Sequence, residues 1–226
     1  MHHPIRILAG ALALSAAAFS SMFAHAHGNV TPQSVDTKGL PVLGDKWRDE
    51  NPYRTNALAQ KIGASAYGQN CARCHGLGVV SGGLAPDLRY LEAEEYGDEW
   101  YVERFQTGYT QNGITKMPAF GELLGQKAAW AIRTYIETRP DDGALDDVTP
   151  RLLQVRDELA AMAEGADGDV AALQAELAGI AESVDTGSGA PIADSVAFRA
   201  ANLISGGTPD FKAAAEALTV GLSAAH

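Results

Sequence analysis

Residues 71–75 read Cys-Ala-Arg-Cys-His, two thiols separated by two residues with an imidazole directly after the second thiol. In a helix, Cys71, Cys74 and His75 stand at positions i, i+3 and i+4 and share one face. This is the attachment signature of a c-type haem: the two thiols add to the two vinyl groups of haem, and the adjacent imidazole reaches the iron from the same side of the ring. We call residues 71–75 the haem box. The sequence predicts one covalent haem c, with His75 as an axial ligand.

Two other kinds of site use paired cysteines. A redox-active Cys-x-x-Cys is typical of a thioredoxin-like βαβ unit, and no strong strand pattern surrounds the haem box. A structural zinc site needs four ligands, but the sequence has only these two cysteines, and its other histidines stand near the chain ends. The residues favour haem attachment, with a redox dithiol and a zinc site as the alternatives.

The first 26 residues have the pattern of a secretory signal peptide. Arg6 precedes an apolar run over residues 7–19, and Ala24-His25-Ala26 is an A-x-A cleavage pattern. The run is too short to cross a bilayer comfortably. We therefore expect cleavage before His27, export to the periplasm and no membrane span after cleavage, with an uncleaved anchor as the alternative. Export agrees with the haem box, because bacteria attach haem c outside the cytoplasm.

The net charge of -11 is concentrated in the C-terminal part of the chain. Residues 28–140 carry 12 Lys or Arg against 13 Asp or Glu, whereas residues 141–226 carry 4 against 15. The change occurs at Pro140-Asp141-Asp142-Gly143, which is a turn signal, so a domain boundary is predicted there. The sequence has no basic stripe of the kind that binds nucleic acid, and no nucleic-acid partner is expected.

Residues 27–60 are rich in Pro, Gly, Asn and Asp and show no sustained hydrophobic period. We interpret them as an extended arm that wraps the following domain, and a disordered leader is the alternative. The expected anchors of this arm are its larger apolar and aromatic side chains: Leu40, Val42, Leu43, Trp47 and Tyr53. The domain that bears the haem box is itself predicted over residues 61–140.

Two helices are predicted to cross in this domain. The first covers residues 61–74 and runs into the haem box, and the second covers residues 122–138, where apolar residues recur at helical spacing. Gly63 costs up to about 1 kcal/mol in a helix relative to alanine, so we expect another helix to approach it closely. A short amphipathic helix is predicted over residues 98–106, and residues 108–119 are a turn-rich segment.

The second axial ligand is predicted to be a methionine. Once residues 1–26 are removed, only Met117 and Met162 remain, and the histidines other than His75 are at the chain ends. Met162 lies in the acidic tail, whereas Met117 lies in the turn-rich segment with Pro118 beside it. Met117 is therefore the predicted sixth ligand, and a packed core methionine is the alternative. His/Met ligation leaves no open coordination position on the iron, which argues for electron transfer rather than catalysis.

These features together resemble the class I cytochromes c. In that family, a glycine eight residues and an aromatic residue four residues before the first haem cysteine pack on a tyrosine-bearing C-terminal helix. The matching residues here are Gly63, Tyr67, Ile132 and Tyr135. The resemblance also implies that the backbone carbonyl of Pro86 accepts the Nδ1 proton of the ligand histidine, which would orient the imidazole.

Several separate runs resemble one branch of this family, the periplasmic cytochromes c-550 that accept electrons from pyrroloquinoline-quinone alcohol dehydrogenases. The resemblance covers about residues 27–140 and implies that a quinoprotein alcohol dehydrogenase reduces this haem, while an oxidase or another cytochrome reoxidises it. The runs that carry it are HGNVTPQ (27–33), WRDENPYR (47–54), GASAYGQNCARCHGL (63–77), SGGLAPDLR (81–89), GDEWYVERF (97–105) and MPAF (117–120).

Residues 141–226, which we call the tail, lie outside this resemblance. They contain 21 alanines among 86 residues, which favours helix. Apolar residues at spacings of three and four over 152–162 and 170–184 predict an antiparallel helical hairpin, followed by weaker helices over 194–204 and 210–222. The tail could dock on the cytochrome, bind a partner, mediate self-association or be a passive solvated appendage.

The sequence thus predicts an all-α monohaem cytochrome c fold with an extended N-terminal arm and an extra helical tail. The predicted function is a carrier of single electrons and not an enzyme. Two other functions stay as alternatives: a fixed electron-transfer subunit of a dehydrogenase or oxidase complex, and a haem enzyme such as a peroxidase, which would need an open position on the iron.

Overall fold

The structure, a computed structural model, describes residues 31–223. The predicted signal peptide over residues 1–26 lies outside the described residues. Within the described range, eight α-helices form two groups, each around its own apolar core, and the predicted all-α fold is confirmed. The cytochrome domain contains α1 (Ala57–Asn70), α2 (Ala72–His75), α3 (Glu95–Thr107) and α4 (Gly121–Glu137), and the tail contains α5 (Thr149–Ala163), α6 (Val170–Glu182), α7 (Val196–Ile204) and α8 (Phe211–Ser223).

Helix α1 begins four residues before the predicted start, because Asn56 caps it. The Asn56 side chain accepts a hydrogen bond from the backbone N–H of Ala59 at 2.9 Å, which satisfies one of the free donors in the first turn. The first turn also buries Ala59. Ala59 stands three residues before Ile62 and continues the apolar face of α1. The predicted start was too late because the cap at Asn56 was not part of the prediction.

Helices α1 and α4 cross in close contact, as the sequence predicted. A Cβ atom added to Gly63 would overlap the backbone carbonyl of Ala131, so only glycine allows this approach. One turn further along, the rings of Tyr67 and Tyr135 lie with their centroids 5.3 Å apart, in the tilted arrangement that aromatic pairs prefer. The crossing fixes the helix that leads into the haem box.

A small antiparallel hairpin interrupts the helices between α3 and α4. Strands β1 (Tyr109–Gln111) and β2 (Ile114–Met117) pair with Gln111 opposite Ile114. The two linking residues, Asn112 and Gly113, both have positive φ, as a two-residue Asn-Gly hairpin turn requires. The predicted turn-rich segment is therefore an ordered hairpin that ends at Met117.

The described part of the arm, residues 31–56, has no helix or strand but is packed on the domain. Leu40, Leu43 and Tyr53 are buried, and the Tyr53 hydroxyl donates to the carbonyl of Pro41 at 2.5 Å. Trp47 is half-buried against the same core. The prediction for Val42 was wrong: its side chain is 86% exposed. The two buried leucines are three residues apart, directly after a turn in which the backbone N–H of Leu40 donates to the carbonyl of Thr37, and Val42 between them faces away from the core.

In the tail, the four helices share one core, but the predicted hairpin of α5 with α6 was wrong, because the two helices pack chiefly against other helices of the tail. Helix α5 packs chiefly against α8, while α7 packs against both α6 and α8.

The 184–194 segment between α6 and α7, which we call the strap, runs along the cytochrome domain. The Ser188 hydroxyl donates to the carbonyl of Glu137 at 2.6 Å, and the backbone N–H of Ala93 donates to the carbonyl of Ser188 at 2.9 Å. The tail is thus docked on the cytochrome domain.

None of the described helices is long and apolar enough to cross a membrane.

Candidate haem site

The haem box forms a single helical turn at the end of α1. The backbone N–H groups of Cys74 and His75 both donate to the carbonyl of Cys71, at 3.1 and 3.0 Å, so the three side chains keep the spacing that the sequence predicted. Both cysteines are free thiols and half-buried. Burial raises the pKa of the Cys71 thiol to about 12, and the nearby Cys74 adds to this rise. Reactive redox cysteines have lowered pKa values instead.

His75 is held by the residue that the family resemblance named. Its Nδ1 atom lies 2.9 Å from the backbone carbonyl oxygen of Pro86. Because a carbonyl oxygen only accepts, Nδ1 must carry the proton, and Nε2 is left with a free lone pair. Burial lowers the pKa of His75, although the Pro86 carbonyl and Asp87 act in the opposite direction. A neutral imidazole with Nε2 free is the form that ligates iron.

Gly76, directly after His75, is a position that sequence reasoning did not single out. Its φ of +84° is in the left-handed region, and an added Cβ would overlap the carbonyl of Val80. The carbonyl of Gly76 accepts a hydrogen bond from the Tyr67 hydroxyl at 2.9 Å. The chain leaving the haem box is therefore held both by its own turn and by the aromatic pair at the α1–α4 crossing.

Met117 stands at the end of β2 and is half-buried. It packs against the same apolar core as Cys71. An added Cβ on Gly108 would collide with the backbone of Met117 and Pro118, so the β1–β2 hairpin closes tightly behind this residue. The fold brings the predicted sixth ligand to the core that also receives the haem box.

The residues present fit a covalent haem. The box supplies two thiols and one imidazole on a single turn, and Met117 supplies a soft thioether sulfur, the donor set of a His/Met haem. One buried donor in this core lacks a protein partner: Trp130 is fully buried beside Tyr101, and its Nε1–H has no acceptor among the described residues. A haem propionate would complete such a bond. Within residues 31–223, no three His, Cys, Asp or Glu side chains gather to hold a metal ion.

A buried ionic network was missed by sequence reasoning. Asp98 on α3 accepts from Arg133 Nε on α4 at 2.8 Å and from Arg54 Nη2 in the arm at 2.5 Å. Glu137 on α4 accepts from the Asn51 side-chain amide at 2.9 Å. The side chains of Asp98, Arg133 and Glu137 are all fully buried. These residues look like surface charges in the sequence, and the only available signal was that several stand inside the runs shared with the cytochromes c-550.

The network predicts a pH dependence of stability. Burial raises the pKa of Glu137 from its ordinary 4.5 to about 7, more than the neighbouring Arg133 and Arg54 lower it. Between about pH 4.5 and 7 the folded chain therefore keeps a proton that the unfolded chain has released. The contribution of this group to stability falls as the pH rises through that window, by on the order of 3 kcal/mol.

Glu137→Gln is expected to remove this fall. The measurement is the urea midpoint of the holoprotein from pH 4 to 8, with the exposed Glu99→Gln as control. As the pH rises, the wild type and the Glu99→Gln control should lose stability relative to Glu137→Gln. If the urea midpoints of all three proteins change in parallel with pH, the pKa of Glu137 is not raised.

The comparisons with known proteins agree with this site. The family described as cytochrome c oxidase, cbb3-type, subunit III matches residues 58–136. Cytochrome c550 of Pseudomonas aeruginosa is 54% identical over 136 residues, which are 58% of this chain and 93% of that protein. Quinohemoprotein alcohol dehydrogenase ADH IIB of Pseudomonas putida is 35% identical over 39% of this chain, but this is only 12% of the dehydrogenase. Cytochrome c6 of Microcystis aeruginosa is 35% identical over 36% of this chain and 98% of its own. No solved structure gave a significant match.

A relative that is more than half identical over nearly its whole length shows the family of this chain. Together with the haem box, the α1–α4 crossing and the contact between His75 and Pro86, it establishes that the chain is a class I c-type cytochrome, a monohaem electron carrier and not an enzyme.

Proposed function

We propose that this cytochrome carries single electrons in the periplasm, from a quinoprotein alcohol dehydrogenase to a terminal oxidase or another cytochrome. This donor is supported by the similarity to part of a quinohemoprotein alcohol dehydrogenase. By its name, that protein combines a quinone, a haem and the oxidation of an alcohol, and a segment similar to this chain is part of it. The runs shared with the cytochromes c-550 support the same donor.

The proposed cofactor is one haem c, bound through thioethers to Cys71 and Cys74. Each thiol adds across one vinyl group, so that an S–H and a C=C bond are replaced by C–S and C–H bonds and no oxidant is needed. Nε2 of His75 and Sδ of Met117 are the proposed iron ligands, and the Pro86 carbonyl holds the imidazole by its Nδ1 proton. Bound haem supplies a one-electron centre, while the chain excludes water from it and fixes both ligands.

Met117→Ala is expected to lower the midpoint potential, because a thioether favours ferrous iron. It should also open the iron to cyanide and imidazole. Potentiometric titration and ligand-binding kinetics measure both effects. Met162→Ala is the matched control: Met162 is also a packed methionine, but it lies in the tail core and its loss should leave the potential unchanged. If Met117→Ala alters neither property, Met117 is not the ligand.

The donor is tested by stopped-flow reduction of the ferric holoprotein with a quinoprotein alcohol dehydrogenase and its alcohol. We expect fast reduction that saturates with cytochrome concentration, and none when the alcohol is omitted. If ascorbate reduces the holoprotein but the dehydrogenase does not, the proposed donor is wrong. The electron-carrier function would be unaffected by that result.

The periplasmic location rests on the predicted signal peptide. Mass spectrometry of the protein purified from cells should find a mature chain beginning at His27 with the added mass of one haem. A haem-free chain that retains residues 1–26 in the cytoplasmic fraction would contradict both the location and the covalent haem.

A fixed electron-transfer subunit is the second candidate, because the matched family is described as a subunit of an oxidase. In that case the protein should co-purify with an oxidase at constant stoichiometry through gel filtration in mild detergent. Elution as a free monomer with full reducibility would exclude it.

A further inference from the structure

Asp194 is the charged residue by which the tail is anchored to the cytochrome domain. It stands at the end of the strap, directly before Ser195, which caps α7. Its side chain is only 4% exposed although it carries a charge. A buried carboxylate must be compensated by nearby hydrogen-bond donors. The donors around Asp194 therefore show which parts of the cytochrome domain the tail is bound to.

The partners of Asp194 come from both helices of the α1–α4 crossing. The side-chain amide of Gln60 on α1 donates to it at 2.5 Å, and Arg139, just past the end of α4, forms an ion pair with it. The Asp194 backbone N–H donates to the carbonyl of Thr138 at 2.8 Å. From the tail side, Arg199 on α7 donates at 2.5 and 2.7 Å. One carboxylate thus joins α1, the end of α4 and α7.

From Arg139 the contacts continue to the haem box. The Arg139 guanidinium lies 4.2 Å from the centre of the Tyr135 ring, a distance at which the cation and the ring attract each other. Tyr135 packs on Tyr67, and the Tyr67 hydroxyl donates to the carbonyl of Gly76, next to His75. Every step in this series is a direct contact between buried or half-buried groups.

We propose that Asp194 is a positioning residue for the haem, and that the tail is a clamp across the α1–α4 crossing that keeps the haem box seated. The proposal rests on His75 and Met117 as the haem ligands. Without the carboxylate, Arg139 keeps only neutral partners, the carbonyl and the ring of Tyr135, and its buried charge is no longer balanced. It must then turn towards water and leave the Tyr135 ring, and Gln60 on α1 is left with a neutral acceptor in place of the carboxylate.

The test compares Asp194→Asn with Glu176→Gln in the full-length holoprotein. Both changes take a carboxylate away from an arginine of the tail, Arg199 for Asp194 and Arg151 for Glu176. The hydrogen bonds of the Glu176 carboxylate among the described residues stay within the tail. The readouts are the rate constant for imidazole binding to the ferric protein, the midpoint potential, and hydrogen exchange of the backbone amides of residues 71–76.

For Asp194→Asn we expect imidazole binding to be about tenfold faster, which corresponds to about 1.4 kcal/mol, with faster exchange at residues 71–76 and a shifted potential. Glu176→Gln should change none of the three. Equal behaviour of the two variants would overturn the clamp and make the tail a passive appendage with respect to the haem.

Arg139→Lys is the second variant, for the case in which Asp194→Asn fails to fold. Lysine keeps the charge beside Asp194 but loses the planar group over Tyr135, so it should give a smaller change of the same sign in all three readouts. No change would contradict the path through Tyr135. If Met117→Ala itself does not speed imidazole binding, the ligand assignment is wrong, and hydrogen exchange of residues 71–76 still decides whether the clamp exists.

Discussion

Asp98→Asn is expected to destabilise the folded holoprotein by about 3–5 kcal/mol, the usual cost of removing one partner from a buried charge pair. Asp98 has no exposed side-chain surface and is bonded to two arginines, and Arg133 is as deeply buried as Asp98 itself. Asparagine has nearly the same shape, so the loss reports charge and hydrogen bonding rather than packing. Arg133 keeps its bonds to the carbonyls of Leu91 and Glu92, but these do not neutralise it.

The measurement is urea unfolding followed by far-UV circular dichroism at fixed pH. Glu99→Gln is the matched control, since Glu99 is the next residue on the same helix and is exposed; its effect should stay within about 0.5 kcal/mol. A loss below about 1 kcal/mol for Asp98→Asn would mean that water reaches the network, because hydration would then replace the lost pair.

Gly63→Val is expected to cost about 3 kcal/mol, at the upper end for an overpacked site. The added Cβ meets the backbone carbonyl of Ala131 and then the Cβ of Tyr135, and a carbonyl in the middle of a helix cannot turn away. The helices must separate, which loosens the contact of Tyr67 with Tyr135. We therefore also expect faster imidazole binding to the haem, because the haem box follows directly on α1.

Gly68→Ala is the control, and it should have the opposite sign. Gly68 is on the same helix, but an added Cβ there meets nothing within 4 Å. Alanine should therefore stabilise the protein by about 0.5–1 kcal/mol through helix propensity alone. If Gly63→Val and Gly68→Ala behave alike, the close crossing of α1 and α4 is not what makes Gly63 necessary.

The features that local chemistry or helical spacing determines could be predicted from the sequence. The spacing of the haem box is the one that the proposed attachment to a single haem requires, so its five residues predict their own geometry. The crossing at Gly63 was predictable because a glycine inside a helix needs a reason. The start of α1 was not predicted, since it is set by a single side-chain hydrogen bond at the cap residue Asn56, which apolar spacing does not reveal.

The buried network could not be predicted because charged side chains are rarely buried. Asp98 and Glu137 come from segments nearly forty residues apart, and the arm supplies Arg54 from a third. Their burial depends on partners that only the folded chain brings together. Val42 was mispredicted for a related reason: in an irregular segment, the residues that face the domain follow no fixed period, and composition does not reveal which they are.

The crossing of α1 and α4 also sets an order of events during the proposed export. A chain that crosses the inner membrane with its N-terminus first brings the haem box into the periplasm before the hairpin with Met117, and α4 follows later still. A contact between segments so far apart in the chain cannot form until the second one has arrived. The two thiols would therefore stay accessible for haem attachment until the rest of the domain has crossed. Arrival of α4, and then of the strap, closes that interval.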